Sequence, residues 1–507
     1  MENTDKPDSE SEDQRQAHEP FLEAMEAYIA SKPIPFDVPA HKMGRFTTDL
    51  ADMVGKKVFV ADFNAPIGLD NLYHPTGVIK EAESLASEAF NADRVLFSVN
   101  GTTGGILTMI NALLRAKEKI ILPRNVHKSV INALIISGAY PIFVEPDIDE
   151  KTGIANGVPT ENYIKAMDEN PDAKVVFVIN PTYFGVVSDL RSIVREAHLR
   201  DMIVMCDEAH GAHFHFSDKM PVSAMDAGAD ISTMSVHKTA GSLTQTSLIL
   251  AKTDRIDFSR VIRVFGMFSS TSPNHILIAS LDAARKFLYF HGKEYLDKSI
   301  ELADYARKAI NKIPGLFTLD RSYCSKHGRF GLDESKLVIN TSGLGVSGFE
   351  IIREIRKKYN IQLELAEVSE VLAVLGLGTL KEDVDDLIAA FKGLSEDFYG
   401  KNEAYFIPHF HYEYPELIVR PREAFNAPSK IIPLNDAIGE ISAESIMIYP
   451  PGIPIAIPGE LITKDALELI DFYQDHGGVL LSDSPDGYIK VVDQSKWYRG
   501  SELDYEY

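Results

Sequence analysis

Cysteine is nearly absent from this chain: its 507 residues contain two, Cys206 and Cys324. Two cysteines at this length do not make a disulfide framework, which points to a reducing cytoplasm. No apolar run reaches the ~18–20 residues of a membrane span. The opening run MENTDKPDSESEDQRQ is polar and acidic and lacks a signal-peptide core. Residues 1–20 are therefore expected to form a disordered tail. Basic residues are in deficit, with 51 Lys and Arg against 74 Asp and Glu, a net charge of −23. That balance disfavours nucleic acid and anionic membranes as partners and mildly favours a cationic substrate. Internal repeats are absent, as is low-complexity sequence beyond the tail.

What remains is an ordinary globular composition, 45% hydrophobic and 25% charged. Length alone predicts roughly three domains, at ~150 residues each. Short apolar strands are expected at 95–99, 119–122, 141–145, 174–179, 203–206 and 231–236, with helices such as 129–137 and 190–200 between them. This alternation argues for a mainly parallel α/β sheet covered on both faces, whose ligands bind beyond the carboxyl ends of strands. The large domain is assigned to 21–290, with a helix at 21–30 near its start and a long amphipathic helix, 281–312, leading out of it. A smaller α/β domain, 291–400, has expected strands at 336–340 and 371–375 and helices at 348–359 and 381–394. A C-terminal α+β domain, 401–507, opens on a turn-rich stretch, 405–422.

Chemistry-bearing residues collect at the expected strand ends. The run Ser98-Val99-Asn100-Gly101-Thr102-Thr103-Gly104-Gly105 passes from a strand through a small-residue turn into a helix. A helix N-terminus offers unpaired N–H groups and a positive dipole end, so Gly101, Thr102 and Thr103 are candidate phosphate ligands. A plain turn capped by threonine fits the same residues. The run matches neither the P-loop lysine pattern nor the dinucleotide GxGxxG pattern. His127, just past a strand, is either a flat ring able to stack on a pyridine or a surface loop histidine. Asp207 closes the apolar run Val204-Met205-Cys206. A carboxylate there needs a partner or its pKa rises; a pyridinium nitrogen is one such partner, and a strand–helix cap is the plainer alternative. Ala209 is small enough to lie against a ring face.

Lys238 closes the next apolar run, in Ser235-Val236-His237-Lys238, and precedes Ala240-Gly241-Ser242. That is an unusual place for a merely solvating charge. An aspartate at one strand end and a lysine at a later one form the pair that a pyridoxal phosphate enzyme needs, carboxylate for the ring nitrogen and amine for the aldehyde. Burial and a nearby cation would lower the lysine's pKa and favour that chemistry. Ser235 and His237 flank the lysine within reach of a phosphate. His210, His213 and His215 lack the spacing of a zinc site, so no metal is expected and His213 and His215 read as structural.

With these runs assembled, the chain resembles the ornithine/lysine/arginine decarboxylase family of pyridoxal phosphate enzymes, which have the aspartate aminotransferase-like fold (fold type I). The resemblance covers residues 30–490 and is greatest to the short bacterial biosynthetic arginine decarboxylases. It is carried by HPTGVIKEAE (74–83), PRNVHKS (123–129), NPTYFGV (180–186), DEAHGAH (207–213), SVHKTAGSLTQTS (235–247) and YPPGIP…PGE (449–460). It implies Lys238 as the Schiff-base lysine, Asp207 as the pyridinium partner, His127 as the stacking ring and His210 beside that ring. Thr102, Thr103, Ser235 and His237 are implied as phosphate ligands. The segment 269–273, with Thr271, is similar to one that reaches the phosphate of a neighbouring subunit. Active sites shared between two chains, in a homodimer or homotetramer, would follow. The wing domain of the large acid-induced members has no counterpart here, so their ring assembly is not expected.

The implied reaction is decarboxylation of a basic amino acid, arginine to agmatine and carbon dioxide, in cytoplasmic polyamine synthesis. His237 or Lys238 would protonate the α-carbon. Glu444, just before YPPGIP, would receive the substrate's distal cation, a solvated helix glutamate being the alternative. Lysine or ornithine would keep the same chemistry. An aminotransferase or lyase, or an inactive regulatory paralogue, would keep the same scaffold. The YPPGIP region argues against the former, and intact Lys238, Asp207 and His127 against the latter. Residues 494–507 match no part of the pattern.

Overall fold

The computed structural model describes residues 11–325, 328–401, 415–449 and 453–497. Contacts divide the chain into two units, Met1–Thr108 with Glu208–Leu296 and Met109–Asp207 with Asp297–Tyr507.

In the first unit the run Ser247–Ala251 is a fully buried strand that the sequence reading does not include. It pairs antiparallel with Arg94–Ser98 on one side, Ser98 opposite Ser247. On the other side it pairs antiparallel with Ile231–Met234, Met234 opposite Leu248. Two strands antiparallel to a common neighbour run in the same direction, so Ser98 and Met234 finish at one edge of this sheet. The strand expected to extend to residue 236 stops at Met234. Ser235 is extended, and Val236–Thr239 form a single helical turn. Lys238 therefore lies in that turn, not at the end of a strand.

The expected tail is ordered where it is described. Glu12–Gln16 form a helix capped by Ser11, and Gln16 is buried. The reason is Arg285, 1% exposed. Its guanidinium donates to the Gln16 carbonyl at 2.6 Å, the His18 carbonyl at 2.5 Å and Asp282 Oδ1 at 2.7 Å. Proline opens the next helix, Pro20–Ala30, where its missing N–H costs nothing. The long helix His275–Ile310 starts earlier than its amphipathic pattern. Asn274 Oδ1 accepts the Ile276 and Leu277 N–H groups there, as an N-cap does.

The run 74–83 enters the helix Val78–Ala89. Asp70 holds its start by accepting the Gly77 N–H at 2.7 Å and the Ile79 N–H at 3.1 Å. Glu83, inside that helix, is buried and accepts the Phe97 N–H at 2.8 Å. Burial pushes its carboxyl up to about 8, against the pull of the Phe97 N–H and with help from Asp70.

The second unit carries four parallel strands, Ile203–Asp207, Val175–Ile179, Lys119–Pro123 and Tyr140–Val144, adjacent in that order. Three helices, Lys128–Ser137, Thr160–Glu169 and Leu190–Leu199, alternate with them. Parallel strands bring all their carboxyl ends to one edge, with Ile179 opposite Asp207 and Pro123 opposite Val144. A second sheet is antiparallel, ordered Leu365–Ala366, Glu370–Val374, Lys336–Asn340 and Phe317–Thr318. It packs against Gly348–Tyr359 and Lys381–Phe398 through Leu337, Ile339, Val371, Ile351 and Phe391. Toward the C-terminus Ser429–Pro433 pairs with Tyr488–Val492. Ile446–Tyr449 lies between Ile453–Ala456 and Val479–Leu481. The helix Lys464–Asp475 completes this core with Leu467 and Ile470. Residues 450–452 of the YPPGIP run and most of the turn-rich stretch lie outside the described residues. No helix among the described residues is long and apolar enough to cross a membrane.

Because Glu83 has its carboxyl raised in the fold, folding takes up a proton. Its contribution is complete below about pH 4.5 and is lost as pH rises through about 8. Glu83→Gln keeps an acceptor for Phe97 and removes the titration. Urea unfolding between pH 5 and 8 should show the variant losing less stability with rising pH, by up to about 1.4 kcal/mol per pH unit. Identical slopes in the two proteins would show that Glu83 does not titrate in this range.

Candidate active site

The shared edge of the first unit's sheet gathers hydroxyl groups. Arg94–Ser98 leads into the helix Gly101–Leu113, and Ile231–Met234 leads into Ser235. Thr102, in the first turn of the helix, is buried, and its Oγ1 lies 2.7 Å from Ser235 Oγ and 3.3 Å from Ser247 Oγ. Close approach of the helix is what permits this. A Cβ on Gly105 would fall 2.0 Å from Thr233 Oγ1, so only glycine fits there. Gly101 has φ +64°, the left-handed region that glycine occupies without strain. Its N–H donates to the Gln245 carbonyl at 2.8 Å, so Gly101 shapes the turn and that N–H is already engaged. Thr103 is exposed and stands outside the hydroxyl cluster.

Three residues past Ser235, Lys238 is exposed, and its Nζ lies 2.9 Å from His210 Nε2. His210 is itself buried. The expected burial of Lys238 is thus not found; the group beside it is an imidazole. His237 Nδ1 lies 2.7 Å from the Thr246 carbonyl, which can only accept, so Nδ1 carries the proton. Burial lowers the His237 pKa below the ordinary range; the Thr246 carbonyl opposes this and the Lys238 charge adds to it. Ala209 is partly buried in this unit, and Thr271 is exposed. His215 Nδ1 pairs with Asp226 at 2.7 Å, and Asp226 also accepts from Ser223 and Asn91. His215 thus has a packing role.

In the second unit Asp207 ends its strand and is buried. His127, past the strand Lys119–Pro123, is exposed and caps the helix Lys128–Ser137, accepting the Ser129 N–H on Nδ1 at 3.2 Å. Asp207 is the carboxyl-terminal residue of its strand and His127 follows the carboxyl end of Lys119–Pro123, on the same edge of the parallel strands. Glu444 requires correction. It is 1% exposed, and its carboxylate accepts the Asp483 N–H at 2.7 Å, the Ser484 hydroxyl at 2.7 Å and the Lys490 N–H at 2.6 Å. It is neither a solvated helix residue nor an open receptor for a cation, because its oxygens already bind the C-terminal fold together.

Residues 19–383 match the Orn/Lys/Arg decarboxylase major domain, and residues 407–477 match the C-terminal domain. The chain belongs to the Orn/Lys/Arg decarboxylase family. It is 41% identical over 458 residues to an arginine decarboxylase of Halalkalibacterium halodurans, covering 90% of this chain and 93% of that one. With an arginine decarboxylase of Bacillus anthracis it shares 42% identity over 455 residues, 89% of this chain and 92% of the relative. Among solved structures, the Francisella novicida lysine decarboxylase superposes with a TM-score of 0.81 at 22% identity, over 95% of this chain and 82% of that one. The fold is the α/β fold type I of pyridoxal phosphate enzymes.

Two of the family's runs meet in a contact that sequence reading did not anticipate. Arg124 of PRNVHKS and Glu460 of PGE are each 1% exposed and lie 2.9 Å apart. Arg124 also donates to the Ile455 carbonyl and stacks over Phe143. Glu460 accepts the Ile457 N–H. Burial raises the Glu460 pKa, and Arg124 opposes the rise. Ser247 and Gln245 also belong to the site's surroundings, and both lie within the run 235–247. Their signal in the sequence is position alone, a polar residue opening an apolar run and the residue two before it.

Arg124→Ala leaves Glu460 buried without its cation and should lower stability by about 3–5 kcal/mol, read from denaturant unfolding. Arg124→Met combined with Glu460→Leu should recover most of that loss. An Arg124→Ala protein as stable as wild type would remove the ion pair from any structural role.

Proposed function

We propose that this decarboxylase converts arginine to agmatine and carbon dioxide with pyridoxal 5′-phosphate as cofactor. The observation that carries the reading is the convergence in one unit of a buried hydroxyl cluster at a helix N-terminus and a primary amine beside an imidazole. Hydroxyls and a positive helix end suit a phosphate, and an amine suits an aldehyde. The 40–42% identity to proteins named arginine decarboxylase, over nearly the whole of both chains, supports arginine as substrate.

Thr102, Ser235 and the first turn of Gly101–Leu113 would hold the phosphate. Lys238 Nζ would carry the aldehyde carbon, and Asp207 would take the ring nitrogen, with His127 and Ala209 at the ring faces. Bound there, the cofactor supplies an electron sink for the charge left as carbon dioxide departs. His210 Nε2, 2.9 Å from Lys238 Nζ, is placed to take and return the lysine's proton. Of the two candidate acids, Lys238 is favoured. His237 has its proton on Nδ1, directed at Thr246, and its lowered pKa keeps the other nitrogen bare. Thr271 is exposed in the single chain, as a residue reaching a neighbouring subunit would be, and a homodimer or homotetramer in the cytoplasm completes the reading. Domains at 21–290, 291–400 and 401–507 and a role in polyamine synthesis belong to the same proposal.

The test is carbon dioxide release and amine identification with arginine, lysine and ornithine supplied separately alongside pyridoxal phosphate. Agmatine from arginine alone is expected. Cadaverine or putrescine as the main product would reassign the substrate, and no release from any of the three would overturn the reaction. Lys238→Ala should lose the cofactor's covalent attachment and lower turnover about 10³-fold or more. Near-normal turnover in that variant would sink the assignment of Lys238.

A further inference from the structure

The loop from Lys238 to the strand Ser247–Ala251 is a brace. Gln245 within it has φ +83°, a backbone region that non-glycine residues seldom enter. Such conformations persist where the surroundings hold them, and they cluster at working sites. Here the surroundings are two hydrogen bonds. The Gln245 side-chain amide donates to the Val99 carbonyl at 2.6 Å. The Gln245 carbonyl accepts the Gly101 N–H at 2.8 Å. One residue thus grips both sides of the turn from strand to helix, while Asn100 between them donates to the Phe268 carbonyl at 2.8 Å.

The next two residues act on the same region. The Thr246 carbonyl accepts from His237, and its hydroxyl donates to the Leu243 carbonyl at 2.6 Å. Ser247 Oγ lies 3.3 Å from Thr102 Oγ1. Gln245, Thr246 and Ser247 therefore set, in order, the helix start, the His237 tautomer and the hydroxyl cluster. We propose that Gln245 is a positioning residue for the phosphate end of the cofactor site, acting through Gly101 and Thr102. This rests on the pyridoxal phosphate reading above.

The side chain's chemistry defines the variants. Glycine accepts the positive φ and supplies no amide, so Gln245→Gly removes the grip on Val99 with the least backbone strain. Asparagine also tolerates this conformation but is one methylene too short to reach Val99. The measurement is titration of apoprotein with pyridoxal phosphate and, separately, with pyridoxal, which lacks the phosphate. Gln245→Gly and Gln245→Asn should each weaken pyridoxal phosphate binding about tenfold, with pyridoxal binding changed less than about twofold.

Equal weakening of both ligands, or no change in either, overturns the proposal. If Gln245→Gly does not fold, Gln245→Asn carries the same comparison. If neither variant folds, Gln245 is a purely structural residue and the proposal fails. Wild-type protein that takes up no pyridoxal phosphate overturns the cofactor reading and this inference with it. Normal wild-type uptake with unaltered variants overturns this inference alone.

Discussion

The direction of one buried strand decides where the chemistry of the first unit can lie. Ser247–Ala251 runs against both of its neighbours, so Arg94–Ser98 and Ile231–Met234 end at the same edge. Both of its registers are antiparallel, so the two flanking strands share one direction. Everything at the edge depends on this pairing. The Thr102–Ser235 contact joins residues 133 apart in sequence. It exists because two strands deliver their following residues to one place. The Val236–Thr239 turn that carries Lys238 begins two residues after Met234.

That strand was the element least legible from the residues. SLILA is four apolar residues behind a serine, short enough to be part of a buried helix or a strand, and periodicity cannot tell which. Elements with their own punctuation are legible. The helix Gly348–Tyr359 has the expected bounds because Ser347 caps its start and Asn360, in a left-handed conformation, closes its end. The strand Lys336–Asn340 is likewise where its alternation with turn residues places it. The N-terminal segment departs from its expected disorder for a different reason. Its composition is polar and acidic, as a disordered tail's would be. The force that orders it comes from Arg285, about 270 residues away, a contact that composition does not encode.

The candidate site divides the same way. Runs of residues identified Thr102, Ser235, His210 and Lys238, and the structure brings these together in one unit. What the runs did not carry is who satisfies whom. In the sequence Lys238 closes an apolar run, which places it at the end of an expected strand, 231–236. The strand stops at Met234 instead, and Ser235 follows it with its hydroxyl 2.7 Å from that of Thr102. The Gly101 N–H, a candidate phosphate donor by its place in the sequence, donates to the Gln245 carbonyl. A hydrogen-bond donor's type is visible in sequence; its commitment is a three-dimensional fact.

The acidic side chains show why commitment matters for substrate recognition. With 74 Asp and Glu in the chain, a carboxylate near a motif is a poor pointer to a cation site. A buried carboxylate has three ways to exist: paired, hydrogen-bonded as an anion, or protonated. Glu460 is paired with Arg124. Glu444 is held by two backbone N–H groups and a hydroxyl. Glu83 and Glu370 are pushed up by burial, Glu370 against a hydrogen bond from Asn340. Each solution removes the group from contention as a receptor for a guanidinium, which needs acceptor oxygens facing an open space. Choosing the carboxylate nearest a family motif therefore selects for structural glutamates, since motif segments are themselves held by buried polar contacts. A receptor for arginine's distal cation is to be sought among carboxylates whose oxygens the fold has not already filled.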